Sequence, residues 1–250
     1  MPALLVIKTG DAPAPIVAKR RDFETWIAAG AGLSLNDVHI VRVFRGETLP
    51  EPTSVPGVII TGSPALVTDR EPWSETTAQW LQGAVRAGVP TLGICYGHQL
   101  LAHALGGDVR NNPRGREIGT TDVKLNSAAR SDALFGRFAE VLHLPVCHLQ
   151  TVVRLPESAT LLGSTPLDPN HIVRYANNVW GVQFHPEFDS NIVRGYIDAK
   201  REDMLREGLD ADALWHSATD TADGTFVLRR FAEIARKRAQ VQAERLAESA

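Results

Sequence analysis

The chain has 250 residues, 44% hydrophobic and 22% charged, a globular mixture with length for one large domain or a domain with an extension. A formal net charge of −3 argues against the basic footprint of a nucleic-acid binder, and no apolar run approaches bilayer-spanning length. Two cysteines, Cys95 and Cys147, are too few for a disulfide framework, and the N-terminus lacks the basic start and cleavage site of a signal peptide, so a reducing cytoplasm is expected.

In chain order, residues 3–7 form an apolar run expected to be a buried strand, followed by a loop over 9–13. A helix is expected over 23–29, ending at Gly30. The Gly30-Ala31-Gly32 stretch follows a helix rather than a strand and lacks a third glycine, so it reads as a cap and turn, not a dinucleotide fingerprint. Residues 38–44 predict a second strand, and Pro50, Pro52 and Pro56 a stiff connection. Residues 57–61 predict a third strand that empties into Gly62-Ser63-Pro64-Ala65, the kind of small-residue loop that lies at the ligand-binding end of a parallel sheet. An amphipathic helix is expected over 75–87, with Trp80, Leu81 and Val85 inward and Gly88 and Pro90 as its stop.

Residues 89–94 are apolar, and helical spacing begins at His98 with Leu101 and Leu105 on one face. Cys95 sits at this strand-to-helix junction, with Gly93 and Gly97 two residues to either side. That pattern predicts a strained elbow that exposes a nucleophile above a helix N-terminus, where partial positive charge favours a thiolate. The helix is expected to stop at Gly106-Gly107. His98 and His103 lie roughly 140° apart around it, so they do not chelate one metal from one face.

From 107 to 183 strand-like pieces replace strand–helix alternation, at 119–125, 139–144, 159–164, 172–175 and 179–183, separated by turn clusters. This predicts antiparallel strands grafted onto a mostly parallel sheet. The last of these runs on to Phe184 and delivers His185, Pro186 and Glu187. Strand alternation would put His185 and Glu187 on one face if the strand continues past Pro186. Cys147 has no glycine bracket and reads as a packing residue. Helical patterns return over 190–206 and 226–248, the latter with Val227, Phe231, Ile234 and Val241 on a stripe that packs on the domain or on a second subunit.

Gly93-Ile94-Cys95-Tyr96-Gly97-His98-Gln99 resembles the nucleophile motif of the class I (triad) glutamine amidotransferases, and Gln183-Phe184-His185-Pro186-Glu187 resembles their second motif. Residues 97–109 and Gly115-Arg116-Glu117-Ile118-Gly119 are similar too. The likeness covers residues 40–190 and is greatest to stand-alone domains resembling the glutaminase half of GMP synthase. It implies an α/β, flavodoxin-like fold: a mostly parallel central sheet flanked by helices, with an antiparallel strand insertion. The expected division is a glutamine amidotransferase domain at 1–206 and a C-terminal helical extension at 207–250, packed on that domain or on a partner.

The implied chemistry is amide cleavage through a thioester, with Cys95 as nucleophile, His185 as base and Glu187 fixing its tautomer. By resemblance, the backbone N–H groups of Ser63 and Tyr96 form the oxyanion hole. Ser63 stands where the family commonly has the second glycine of Gly-Gly-Pro. Gly62, Gln99 and the backbone of Leu149 and Gln150 are the implied substrate contacts. His148 matches a family histidine, while Gln150 replaces the acidic residue usual two positions later.

Three functions compete. The first is a glutaminase passing ammonia to an acceptor or synthetase on a separate chain, since this one holds neither a phosphate-cradling loop nor length for a synthetase. The second is a γ-glutamyl peptidase or hydrolase with the same Cys-His-Glu triad. The third is a degenerate regulatory domain. The expected substrate is glutamine, with no cofactor, metal, nucleic acid or membrane, and a homo-oligomer is left open.

Overall fold

The computed structural model describes residues 4–248. Five parallel strands form half of the main sheet: β1 (Leu4–Lys8), β2 (Val38–Arg42), β3 (Val58–Ile60), β4 (Thr91–Ile94) and β11 (Val179–Val182), after the intervening strands β5 (Asp108–Asn111), β6 (Glu117–Leu125), β7 (Val141–His148), β8 (Gln150–Arg154), β9 (Thr160–Ser164) and β10 (Ile172–Ala176). Among the described residues the nine-stranded order is β2-β1-β3-β4-β11-β10-β9-β6-β7, and β5 and β8 make a separate two-stranded sheet. Pairing is parallel from β2 to β11 and antiparallel from β11 to β7. The antiparallel segment thus extends the sheet beyond β11 as its second half.

All five residues of β1 are buried, as in a strand covered on both faces. Alternation sends Leu4 and Val6 to one core and Leu5 and Ile7 to the other. The first core holds α1 (Ala14–Arg20), α2 (Phe23–Gly30), α5 (Ser190–Arg206) and α7 (Asp223–Glu248) through Ile16, Phe23, Ile27, Ile192, Ile197 and Phe231. The second holds α3 (Pro72–Arg86) and α4 (Tyr96–Ala104) through Ala78, Leu81, Leu100 and Leu101. The short α6 (Ala211–Ser217) packs on α5 and β6.

Several boundaries differ from expectation. The helix α1 is not predicted by periodicity because only Ile16 of its seven residues is buried. The strands β5 and β8 lie in stretches expected as a helix stop and a loop. The strand β7 runs through Pro145 to His148, which an edge strand tolerates because one side of its ladder is free. On α7 the buried stripe is Val227, Leu228, Phe231, Ala232 and Ala235, while Val241 is exposed. The helix comes close enough that a Cβ on Gly57 would lie 2.5 Å from Ala235 Cβ, and one on Gly30 would lie 2.5 Å from Leu228 Cδ1.

Candidate active site

Cys95 is the N-cap of α4 with φ 49° and ψ −101°, a conformation that a side-chain-bearing residue holds only when its surroundings dictate it. Its N–H donates to the Val182 carbonyl at 2.8 Å, tying the end of β4 to the end of β11. The flanking glycines are sterically required: a Cβ on Gly93 would lie 2.4 Å from the Gly97 carbonyl oxygen, and one on Gly97 would lie 2.6 Å from that of Ile60.

The preference for a thiolate expected from the helix terminus meets an opposing effect. Burial pushes the Cys95 thiol well up, nearby Cys147 and Glu187 add to the shift, and the Tyr96 N–H and the Gln183 amide oppose it only partly. The half-charge of a helix terminus does not offset desolvation of an anion this deep.

His185 lies beyond β11, its N–H donating to the Pro145 carbonyl of β7 at 2.8 Å. Its Nδ1 is 2.8 Å from Glu187 Oε1, so Nδ1–H donates to the carboxylate and Nε2 is left with a lone pair. The reason for this contact differs from expectation. The strand ends at Val182, and a turn closed by Phe188 N–H donating to the His185 carbonyl at 3.3 Å folds Glu187 back onto the ring. The imidazole stacks on Phe188 at 4.0 Å and 11°, with Phe23 and Tyr196 6.3 and 6.4 Å away. A Cβ on Gly224, in the first turn of α7, would lie 2.5 Å from the Pro186 carbonyl oxygen, so that helix braces the turn from behind.

One cavity of about 340 Å³ is lined by Cys95, His185, Ser63, Tyr96, Gln99, Leu149 and Gln150, together with Cys147, Arg116 and Lys200. Gly62 is not part of that lining. It lies against the imidazole, where a Cβ would come 2.7 Å from His185 Cε1. The Ser63 side chain turns away from the cavity, donating to the Thr9 carbonyl at 2.7 Å and accepting from the Ala65 N–H at 3.1 Å. Serine in place of glycine therefore puts no hydroxyl over the nucleophile. Gln150 donates from Nε2 to Thr68 Oγ1 at 2.7 Å and to Asn111 Oδ1 at 3.1 Å, tying the start of β8 to its neighbours.

Two groups escaped sequence reasoning. Gln183, fully buried, donates from Nε2 to Cys95 Sγ at 3.4 Å; its place at the head of the second motif was the available signal. Glu117, His148 and His171 form a buried cluster whose donor atoms lie within 4.8 Å of one another. His148 faces Glu117 Oε2 through Nε2 at 2.9 Å and the Gln150 carbonyl through Nδ1 at 3.0 Å. Burial opposes ionisation of Glu117, but the two histidines outweigh it and hold the carboxyl well below the usual range. The cluster has the donor types of a metal site, yet its shortest contact is an ordinary hydrogen bond between carboxylate and imidazole.

A model of the class I glutamine amidotransferase family matches residues 23–196. The chain is 33% identical over 188 residues to the glutamine-hydrolysing GMP synthase of Aeropyrum pernix, covering 74% of this chain and 33% of that protein. It therefore spans about a third of the length of the GMP synthases it matches. A glutamine amidotransferase-like protein of Schizosaccharomyces pombe is 29% identical over 177 residues, 70% of this chain and 69% of that one. Among solved structures, a glutamine amidotransferase of Thermotoga maritima superposes with a TM-score of 0.72 at 21% identity, over 94% of this chain and 99% of that one. A glutamine amido transferase from Methylobacillus flagellatus gives 0.68 at 25% identity, over 94% and 92%.

Proposed function

Because the chain belongs to the class I glutamine amidotransferase family, matched over residues 23–196, we propose that it hydrolyses the side-chain amide of glutamine to glutamate and ammonia through a thioester on Cys95. The observation that carries this reading is the 2.8 Å contact between His185 Nδ1 and Glu187 Oε1, which leaves Nε2 with a lone pair on a residue that lines the same cavity as the strained Cys95.

His185 Nε2 takes the Sγ proton as sulfur attacks the γ-carbonyl carbon, and Glu187 stabilises the resulting imidazolium. The oxyanion is received by the N–H groups of Tyr96 and Ser63. Tyr96 is the first residue of α4, where helical geometry leaves the N–H without an intrahelical partner. Collapse breaks the C–N bond, and His185 gives its proton to the departing ammonia. Water then attacks the thioester, His185 takes its proton and returns it to sulfur, and glutamate leaves. Gln99 and the backbone of Leu149 and Gln150 hold the α-amino and α-carboxylate ends.

Ammonia passes to an acceptor on a separate chain, by analogy with the GMP synthases, and a reducing cytoplasm keeps Cys95 a thiol. Among the described residues no helix is long and apolar enough to cross a membrane. The test is glutamate release from glutamine by the wild type and Cys95→Ala. Loss of release in the variant supports the reading, and undiminished release rejects it. A panel of γ-glutamyl amides measures specificity. A preference for free glutamine below about tenfold, near 1.4 kcal/mol, replaces the amidotransferase reading with a γ-glutamyl hydrolase.

A further inference from the structure

Gln183 is fully buried between the nucleophile and the core, and both ends of its carboxamide are engaged. Its Nε2 donates to Cys95 Sγ at 3.4 Å, and its Oε1 accepts from Gln99 Nε2 at 3.0 Å. Gln99 Nε2 also donates to the Gln150 carbonyl at 2.8 Å. That carbonyl accepts from His148 Nδ1 as well, and His148 Nε2 faces Glu117 at 2.9 Å. The polarity of this chain is determined. The Gln99 amine faces two oxygens, so its amide does not flip. Gln183 must therefore present oxygen to Gln99 and its own N–H groups to sulfur.

We propose that Gln183 is a catalytic residue, its N–H stabilising the sulfur anion as the proton passes to His185, and that Gln99, His148 and Glu117 are positioning residues that keep this donor aimed. Among the described residues no other side-chain donor is seen on the sulfur. Facing Cys95 are the Tyr96 N–H, which also favours the anion, and Cys147 and Glu187, which oppose it. Beyond Gln183 the chain ends in the Glu117–His148–His171 cluster. A hydrogen bond to a charged atom is about twice as strong as a neutral one. Removing it should therefore lower the thiolate population about ten- to a hundredfold.

The turnover consequences rest on the glutaminase reading, but ionisation of Cys95 does not, so the test reads both. Alkylation of Cys95 by iodoacetamide, counted peptide by peptide so that Cys147 is scored apart, is followed against pH in wild type, Gln183→Leu and Gln183→Glu. Folding of each is checked by thermal melting. In Gln183→Leu the alkylation rate near neutral pH should fall about ten- to a hundredfold, with kcat falling in parallel and KM held. Gln183→Glu keeps the acceptor for Gln99 but points an oxygen at sulfur. Its deficit should shrink on acidification, as the carboxyl regains a proton to donate. A packing defect has no such reversal.

If neither variant folds, Gln99→Met, which frees the Gln183 amide without altering it, should show a smaller deficit in the same direction. A Cys95 alkylation profile within about threefold of wild type in any of these folded variants overturns the proposal. A wild type that releases no glutamate while its Cys95 reactivity still depends on Gln183 sinks the glutaminase reading alone.

Discussion

Gly62→Ala tests whether the imidazole is as tightly held as its surroundings indicate. Gly62 does not have a positive φ, so alanine suits the backbone and the perturbation is confined to one methyl group. That methyl would sit 2.7 Å from His185 Cε1 and 3.6 Å from both ring nitrogens. Equal distances to the two nitrogens mean that it meets the ring edge-on, along the Cε1–H direction. Reaching the ordinary contact distance of 3.4 Å requires 3.4 − 2.7 = 0.7 Å of movement within the ring plane. That movement changes the reach of Nε2 toward sulfur and the 2.8 Å bond from Nδ1 to Glu187. The ring has little freedom to comply, because the backbone N–H of His185 is anchored to the Pro145 carbonyl and the imidazole is stacked on Phe188 at 4.0 Å. A misplacement approaching 1 Å costs about 10²-fold in rate, near 2.7 kcal/mol. Overpacking should cost about 1–3 kcal/mol in stability. Steady-state glutamate release should show kcat falling by about that factor with KM nearly constant, alongside a lowered but cooperative thermal melt. A kcat within about threefold of wild type in a folded variant would refute the claim that Gly62 sets the position of His185.

Glu187→Gln keeps the shape beside His185 but presents either a neutral acceptor or a donor to Nδ1, so kcat should drop about 10²–10⁴-fold with little change in melting temperature. Gly224→Ala would put a Cβ 2.5 Å from the Pro186 carbonyl oxygen, and because the contact is to backbone the turn itself must move. Activity should fall more than tenfold even though residue 224 is remote from substrate, and equal activity in a folded variant would show that α7 does not brace the site. Burial lowers His98 from 6.5 to about 4, so the folded state holds it neutral while the unfolded chain takes up a proton below pH 6.5. Stability from this residue is complete above pH 6.5 and is lost as pH falls toward 4. Its size is (6.5 − 4) × 1.36, about 3 kcal/mol. Urea midpoints across that window should fall with acidification in wild type and more shallowly in His98→Gln.

The strand-to-helix elbow was legible because its signal is local. Two glycines bracket one cysteine, an apolar run precedes it and helical spacing follows, and each of these is a short-range steric or periodic requirement. The same holds for the parallel half of the sheet, whose strands read as apolar runs bounded by glycine and proline. That Leu4 and Val6 face one core and Leu5 and Ile7 the other is visible only in the structure, because an unbroken apolar run carries no alternation.

What remained beyond reach depends on distant partners. For Cys95 a helix terminus that favours the anion is visible in sequence, while the burial that opposes it is not. The Glu187 contact was anticipated for the wrong reason, since a turn rather than strand alternation delivers it. Gln183 and Glu117 carry only their places in motif-like segments and His171 carries no signal, because their contacts exist only where β6, β7, β10 and the end of β11 converge. Local sterics and periodicity act within a few residues of chain, whereas burial, charge and hydrogen-bond polarity are properties of the assembled interior. Tertiary structure alone determines which atoms face the sulfur.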